Sequence, residues 1–200
     1  GVKADAGILD AGFKKAWQAM KVPEPVLQES SLGARRDEKN WWKELVRMSW
    51  SEVENFESLP FDDYFETVYR AFAQPGLWRV YPDAWGLLEW IRERHIFCGI
   101  LSNWDERLRP VLQGHQLNDY FSLIVISGEL GVAKPDPEIF RHAQESAQQI
   151  MHVSECILIG DDDDIDGAGA RRAGWEYLQV DRPSCGLDQI THMLRSRYED

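Results

Sequence analysis

Basic residues are scarce in this sequence: 22 Lys and Arg stand against 34 Asp and Glu, a formal net charge of −12. A broad cationic surface is excluded, and with it nucleic acid as a partner held through its phosphates. An anionic ligand would need local help from a metal ion, a lysine or helix N-termini. Cysteine is also scarce. Cys98, Cys156 and Cys185 are an odd number without Cys-x-x-Cys spacing. Two of them lie in apolar strand-like runs, where cysteine acts as a small hydrophobe. That usage predicts a reducing, intracellular and cytoplasmic setting. No apolar run is long enough to span a membrane and no signal-peptide pattern opens the chain, so the expectation is a soluble protein with no membrane partner. Internal repeats and low-complexity tracts are absent, and 161–164 is the only charge block.

What is present suits a packed globular chain. Two hundred residues can bury a sizeable core, and 44% are hydrophobic. Nine tryptophans within a 12% aromatic content point to packed helices. The first third reads as helical. Ile8, Leu9, Phe13, Ala16, Trp17 and Met20 recur at helical spacing, and Pro23 and Pro25 stop that helix. Residues 28–39 are polar and read as a loop. Further helices are predicted over 41–53 and 61–73, with their aromatic stripes facing a core.

The pattern changes near Pro82. Helices predicted over 83–94, 105–113 (with Pro110 a possible bend), 137–148 and 187–195 alternate with strands over 96–101, 123–126, 156–159 and 177–180. A further helix follows the third strand and ends near Gly174. Alternation at this spacing argues for a parallel sheet with right-handed crossovers.

Three strand ends carry chemistry, and in parallel sheets ligands sit at the carboxyl ends of strands. The first end is Ser102-Asn103-Trp104-Asp105. A hydroxyl there can donate to a phosphate oxygen, or Ser102 or Asp105 can serve as a helix N-cap. The second is Lys134-Pro135-Asp136-Pro137. Its prolines stiffen the loop and aim an ammonium that can stabilise a transferring phosphoryl group, whereas the plainer reading is an exposed lysine before a helix. The third is Gly160 followed by Asp161, Asp162, Asp163, Asp164 and Asp166, five carboxylates within six positions. An acidic helix start needs one or two such groups. Five in this space repel one another unless a cation neutralises them, and hard oxygen donors suit Mg²⁺.

These segments resemble motifs two, three and four of the haloacid dehalogenase-like hydrolases. The residues are Leu101 to Leu108, Gly131 to Phe140, and Ile159 to Asp166 with Gly169-Ala170-Arg171-Arg172-Ala173-Gly174. The resemblance implies an α/β chain: a Rossmann-like parallel-sheet core over about 79–200, with an α-helical cap domain over about 1–78. It implies a Mg²⁺-dependent phosphatase acting on a small phosphorylated metabolite. Ser102 would hold phosphoryl oxygens together with Asn103, and Lys134 would neutralise charge on the nucleophile and the phosphoryl group. Asp161 and Asp166 would bind the metal and its waters, with Asp162 in an outer shell. The cap would exclude water and select the leaving group.

One departure from the family pattern is large. The family's first motif is an apolar strand ending in Asp-x-Asp-Gly-Thr, whose first Asp attacks phosphorus and whose second is the general acid and base. Nothing before Ser102 matches it. The expectation is an N-terminally truncated, inactive chain whose core lacks its first, central strand. That loss would leave two neighbouring strands with unpaired backbone groups. The alternatives are a non-catalytic interaction module and a 2-haloacid dehalogenase. Crowded carboxylates would repel a carboxylate substrate and count against the latter.

Overall fold

The computed structural model describes residues 2–20 and 38–199. The predicted stop at Pro23 and Pro25 and residues 28–37 of the loop predicted over 28–39 lie outside the described residues; Glu38 and Lys39 belong to a helix instead.

The first described elements are helices. α1 (Ala6–Ala19) starts where the Asp5 carboxylate accepts from the Gly7 and Ile8 amides, a side-chain N-cap. α2 (Glu38–Ser49) lies against it, and no side chain larger than hydrogen fits at the crossing. A Cβ on Gly12 would stand 2.3 Å from the Ser49 carbonyl oxygen. α2 stops before Val53, earlier than its apolar pattern suggests, and the chain turns into α3 (Phe61–Ala71). Phe61 and Phe65 bury one face of α3. The aromatic stripe of α1 departs from expectation. Ala16 is buried, but Ile8, Phe13 and Trp17 are exposed, Trp17 by 43%. Trp17 stacks on Phe13 and meets Trp41 edge-on instead of entering a core. Helical spacing places residues on one face; whether a neighbour covers that face is a tertiary matter.

From Pro82 onward helices and strands alternate. In order they are α4 (Pro82–Glu93), β1 (Gly99–Ser102), α5 (Leu108–Gly114), β2 (Leu123–Ile126), α6 (Ser127–Leu130), α7 (Pro137–Ile150), β3 (Ile157–Gly160), α8 (Ala168–Arg172), β4 (Glu176–Gln179) and α9 (Leu187–Tyr198). One helical expectation shifts and one short helix was not expected. α5 begins at Leu108 rather than at residue 105, so Pro110 falls in the first turn, where its missing N–H costs nothing and no bend is needed. The short α6 carries too few residues to show a period.

Each strand alternates between two faces. Leu101, Leu123, Val125 and Leu158 join Ile139, Phe140 and Ala143 of α7 and Ala170 of α8. Ile124 and Ile126 turn instead to Leu108 and Leu112 of α5, while Ile157 and Ile159 turn to Leu87 and Trp90 of α4 and to Ile190 and Leu194 of α9. Helices thus cover both faces, which is an α/β architecture.

The sheet itself is split. β1 pairs in parallel with β2, and β3 in parallel with β4, as two separate two-stranded sheets. Among the described residues no strand pairs with the free edge of β1 or of β3. A cavity of about 370 Å³ is lined by Gly99 and Leu101 of β1, Ile157 and Leu158 of β3, and Ala143 and Ala147 of α7. The cavity lies as a slot between the two unpaired strand edges.

Candidate functional site

β1 and β2 run level, with Ser102 opposite Ile126 at the carboxyl rim. Beyond Ser102 the chain forms an irregular loop. Beyond Ile126 it makes the single turn of α6 and closes on Gly131, whose φ of 84° suits glycine and whose N–H donates to the Ser127 carbonyl at 2.7 Å. The two loops then meet. Asn103 Nδ2 donates to the Lys134 carbonyl at 2.9 Å, and the Lys134 N–H donates to Asn103 Oδ1 at 2.7 Å. Two residues further on, the Asp136 carboxylate accepts from the Glu138 amide and starts α7.

From this anchored position the Lys134 ammonium reaches Asp166 Oδ1 at 2.6 Å, with only 12% and 7% of the two side chains exposed. Asp166 sits in a wide π-type turn, Asp163–Gly167, that follows β3. Its other oxygen accepts from the Asp162 N–H at 3.3 Å. The Asp162 carboxylate faces back into the turn and accepts from the amides of Asp164 and Ile165 at 3.0 Å each. Asp162 therefore caps the turn through Oδ1. Gly160 is required where Asp166 folds over the strand end, since a Cβ there would lie 2.3 Å from Asp166 Oδ2.

The rest of the acidic run splits by role. Asp163 pairs with Arg171 at the surface, 2.9 Å away. Asp161 and Asp164 are exposed. Tyr177 donates its hydroxyl to the Gly160 carbonyl at 3.1 Å, beneath the cluster. Burial, followed by the negative charges of Asp166, Asp163, Asp161 and Asp162, pushes its phenol up to about 12.

The structure thus joins Lys134 to Asp166 directly, and joins the Ser102-Asn103 turn to Lys134 through the Asn103 amide. Asp161 directly follows β3 on the same rim. The donors near the site are hard carboxylate oxygens of the kind Mg²⁺ takes. Among the described residues, however, no three His, Cys, Asp or Glu side chains converge in a geometry that would hold a metal ion by themselves.

Sequence reasoning missed one constellation. Asp105 does not cap a helix. It is 1% exposed and receives Arg107 Nε and Nη2 at 2.8 and 2.6 Å. Arg107 also donates from Nη1 to the Tyr69 carbonyl at 3.2 Å, and its guanidinium lies 3.6 Å from the centre of the Tyr69 ring. The Tyr69 hydroxyl completes the cluster by donating to Asp105 Oδ2 at 3.2 Å. Burial first, and then the Asp105 charge, raise the Tyr69 phenol. An Asp-x-Arg pair two residues apart was the available signal, but its partner on α3 is 36 residues away.

A split parallel sheet covered by helices on both faces, with a lysine–aspartate pair at its rim, defines the class as a Rossmann-like α/β chain. The family follows from comparison with known proteins. The family model described as haloacid dehalogenase-like hydrolase matches residues 7–174, and the chain belongs to that family. Haloacid dehalogenase-like hydrolase domain-containing protein 3 of Bos taurus is 30% identical over 183 residues, covering 92% of this chain and 71% of that protein. A phosphoserine phosphatase of Thermus thermophilus is 37% identical over 112 residues, covering 56% of this chain and 44% of that one. Among solved structures, an L-2-haloacid dehalogenase superposes with a TM-score of 0.73 at 14% identity, over 94% of this chain and 86% of that one; this shows a shared fold. Among the described residues no helix is long and apolar enough to cross a membrane.

Proposed function

We propose that this chain is the greater part of a Mg²⁺-dependent phosphomonoester hydrolase acting on a small phosphorylated metabolite. The observation that carries the reading is the Lys134–Asp166 ion pair, tied through Asn103 to the turn that presents Ser102. A hydroxyl and an aimed ammonium on one rim can hold and neutralise phosphoryl oxygens. Asp161 and Asp166 would hold the metal ion, with the substrate phosphate and waters filling the remaining positions as Mg²⁺ prefers. The ion would supply further charge neutralisation at the phosphoryl group. The residues of this chain do the rest: Ser102 orients the phosphoryl group, Lys134 offsets its charge, and the N-terminal helices, over about 1–78, act as a cap that excludes water.

The attacking carboxylate belongs in the slot between β1 and β3. An extended segment there would pair with both free strand edges, and a residue at its carboxyl end would emerge beside Lys134. No Asp-x-Asp-Gly occurs in the sequence before Ser102. The 200-residue chain is therefore expected to be inactive on its own. Loss of a nucleophile typically costs several orders of magnitude in rate.

The test is a paired assay of p-nitrophenyl phosphate hydrolysis, with and without EDTA. One arm uses this chain. The other uses the chain joined at its N-terminus to an apolar strand ending in Asp-x-Asp-Gly. Activity confined to the joined chain and abolished by EDTA is the expected result. EDTA-sensitive turnover by the unjoined chain would make Asp164 the first suspect as nucleophile, because Asp164-Ile165-Asp166-Gly167 also has the Asp-x-Asp-Gly form after an apolar strand. Inactivity of both on a broad panel of phosphate esters would favour a non-catalytic interaction module, and turnover of a 2-haloacid alone would favour a dehalogenase.

A further inference from the structure

We propose that Asn103 is a positioning residue for Lys134: its side-chain amide holds the backbone N–H and carbonyl of Lys134 together and thereby sets where the ammonium meets Asp166. The inference deepens the phosphatase reading and rests on it only for what the ammonium is used for.

The need for such a residue follows from the lysine itself. A lysine side chain is a flexible four-carbon stem, and it meets a partner at a defined place only if its Cα is held. The segment around Lys134 is poorly equipped to hold itself. Pro135 and Pro137 bring no N–H groups. The local backbone bond is a single turn, from the Asp136 N–H to the Ala133 carbonyl at 3.0 Å. Asn103 supplies what the backbone lacks. Its Oδ1 accepts from the Lys134 N–H at 2.7 Å and its Nδ2 donates to the Lys134 carbonyl at 2.9 Å. The two bonds from one planar group fix both the position and the rotation of that residue's backbone.

The residue type matters. A side-chain amide carries its donor and its acceptor side by side on one planar group, and of the two amide residues Asn has the shorter reach. Aspartate would keep the acceptor and lose the donor; alanine would lose both. The location matters equally. Asn103 directly follows Ser102 at the end of β1, so the hydroxyl and the ammonium share one frame. Anything that shifts β1, including occupation of the slot along its free edge, shifts Lys134 with it. The pair also lies at the surface, since Asn103 is exposed. An exposed hydrogen bond contributes little to global stability. A positioning role and a structural role therefore separate cleanly in experiment.

The experiment is a double-mutant cycle repeated in two backgrounds, with EDTA present throughout. Lys134→Met, Asp166→Asn and their combination are measured by urea unfolding, first with Asn103 and then with Asn103→Ala. Coupling between Lys134 and Asp166 should fall by half or more in the Asn103→Ala background, while Asn103→Ala alone changes the midpoint only slightly. A merely structural asparagine would subtract its own increment and leave the coupling intact, and that result would overturn the proposal. A second readout covers variants that unfold too broadly for the cycle. Hydrogen exchange at the Lys134 amide of the native chain should be slow with Asn103, still slowed in Asn103→Asp, and fast in Asn103→Ala. Equal exchange in all three would also overturn the proposal. As a control, Leu112→Ala in α5 should lower stability with no effect on the coupling or on the local exchange. Neither measurement needs turnover, so failure of the phosphatase reading and failure of this inference give different results.

Discussion

Arg107 grips both carboxylate oxygens of Asp105, two residues upstream, at 2.8 and 2.6 Å, and both side chains are buried. The same guanidinium donates to the carbonyl of Tyr69 on α3 and lies on its ring. One cation therefore ties the N-terminal helices to the loop that begins at Asn103. Removing one member of a buried pair leaves the other charge without compensation, at a cost of about 3–5 kcal/mol. Arg107→Met should destabilise the chain on that scale. Tyr69→Phe removes a single hydrogen bond and should cost only about 1 kcal/mol. Urea unfolding of the two variants gives the comparison, and equal small losses would show that the pair is solvated in practice.

Gly160→Ala tests the fold of Asp166 over the end of β3. In most strand positions this change is neutral or favourable, because alanine loses less backbone entropy on folding. Here the new methyl would meet Asp166 Oδ2 at 2.3 Å and Cγ at 2.7 Å. Relief requires moving the carboxylate and with it the partner of Lys134. A loss of about 1–3 kcal/mol is expected, as for other overpacked sites. A raised melting temperature would show that Asp166 can swing aside freely.

The proposed function makes Mg²⁺ binding depend on Asp161. Calorimetric titration of the strand-completed protein should show a clear loss of affinity in Asp161→Asn. Unchanged binding would place the ion elsewhere.

Acid sensitivity is expected at the start of α4. Burial alone would raise the Asp83 carboxyl. Arg182 Nη2 donates to both of its oxygens at 2.8 Å, the Leu187 N–H adds a bond at 2.8 Å, and together they hold it below the usual carboxylate range. A depressed folded value gives stability that is present above the unfolded value of about 3.9 and lost as pH falls through the folded value. Asp83→Asn should therefore be less stable than the parent at neutral pH, and the gap should close as the pH drops below about 4. Urea midpoints at a series of pH values would show it. A gap of constant size would mean that the carboxylate's charge contributes nothing.

Much of this molecule was legible before any coordinates. β2 falls at the residues its apolar run predicts, and α7 opens at Pro137 because an Asp N-cap followed by proline is a local signal. The Lys134 and Gly160-to-Asp166 segments announced themselves as strand-end chemistry. The exposed face of α1 did not, because a stripe of Phe13 and Trp17 carries no record of what will cover it. The capping role of Asp162 was equally hidden: a run of like residues gives no reason to assign one of them to capping and another to the lysine.

The sequence by itself determined the α/β alternation, the rim positions of Ser102, Lys134 and Asp166, and the family to which those motifs belong. These rest on local periodicity, turn chemistry and strand-end placement, which act over a few residues. Only the tertiary structure decided that Asn103 clasps Lys134 across 31 residues of chain and that Arg107 buries its charge against Asp105 beneath Tyr69. It also decided that β1 and β3 face a slot without a strand between them among the described residues. Such pairings depend on which distant segments meet in space, and a hydrogen-bonding or charged side chain does not encode its partner in its own neighbourhood.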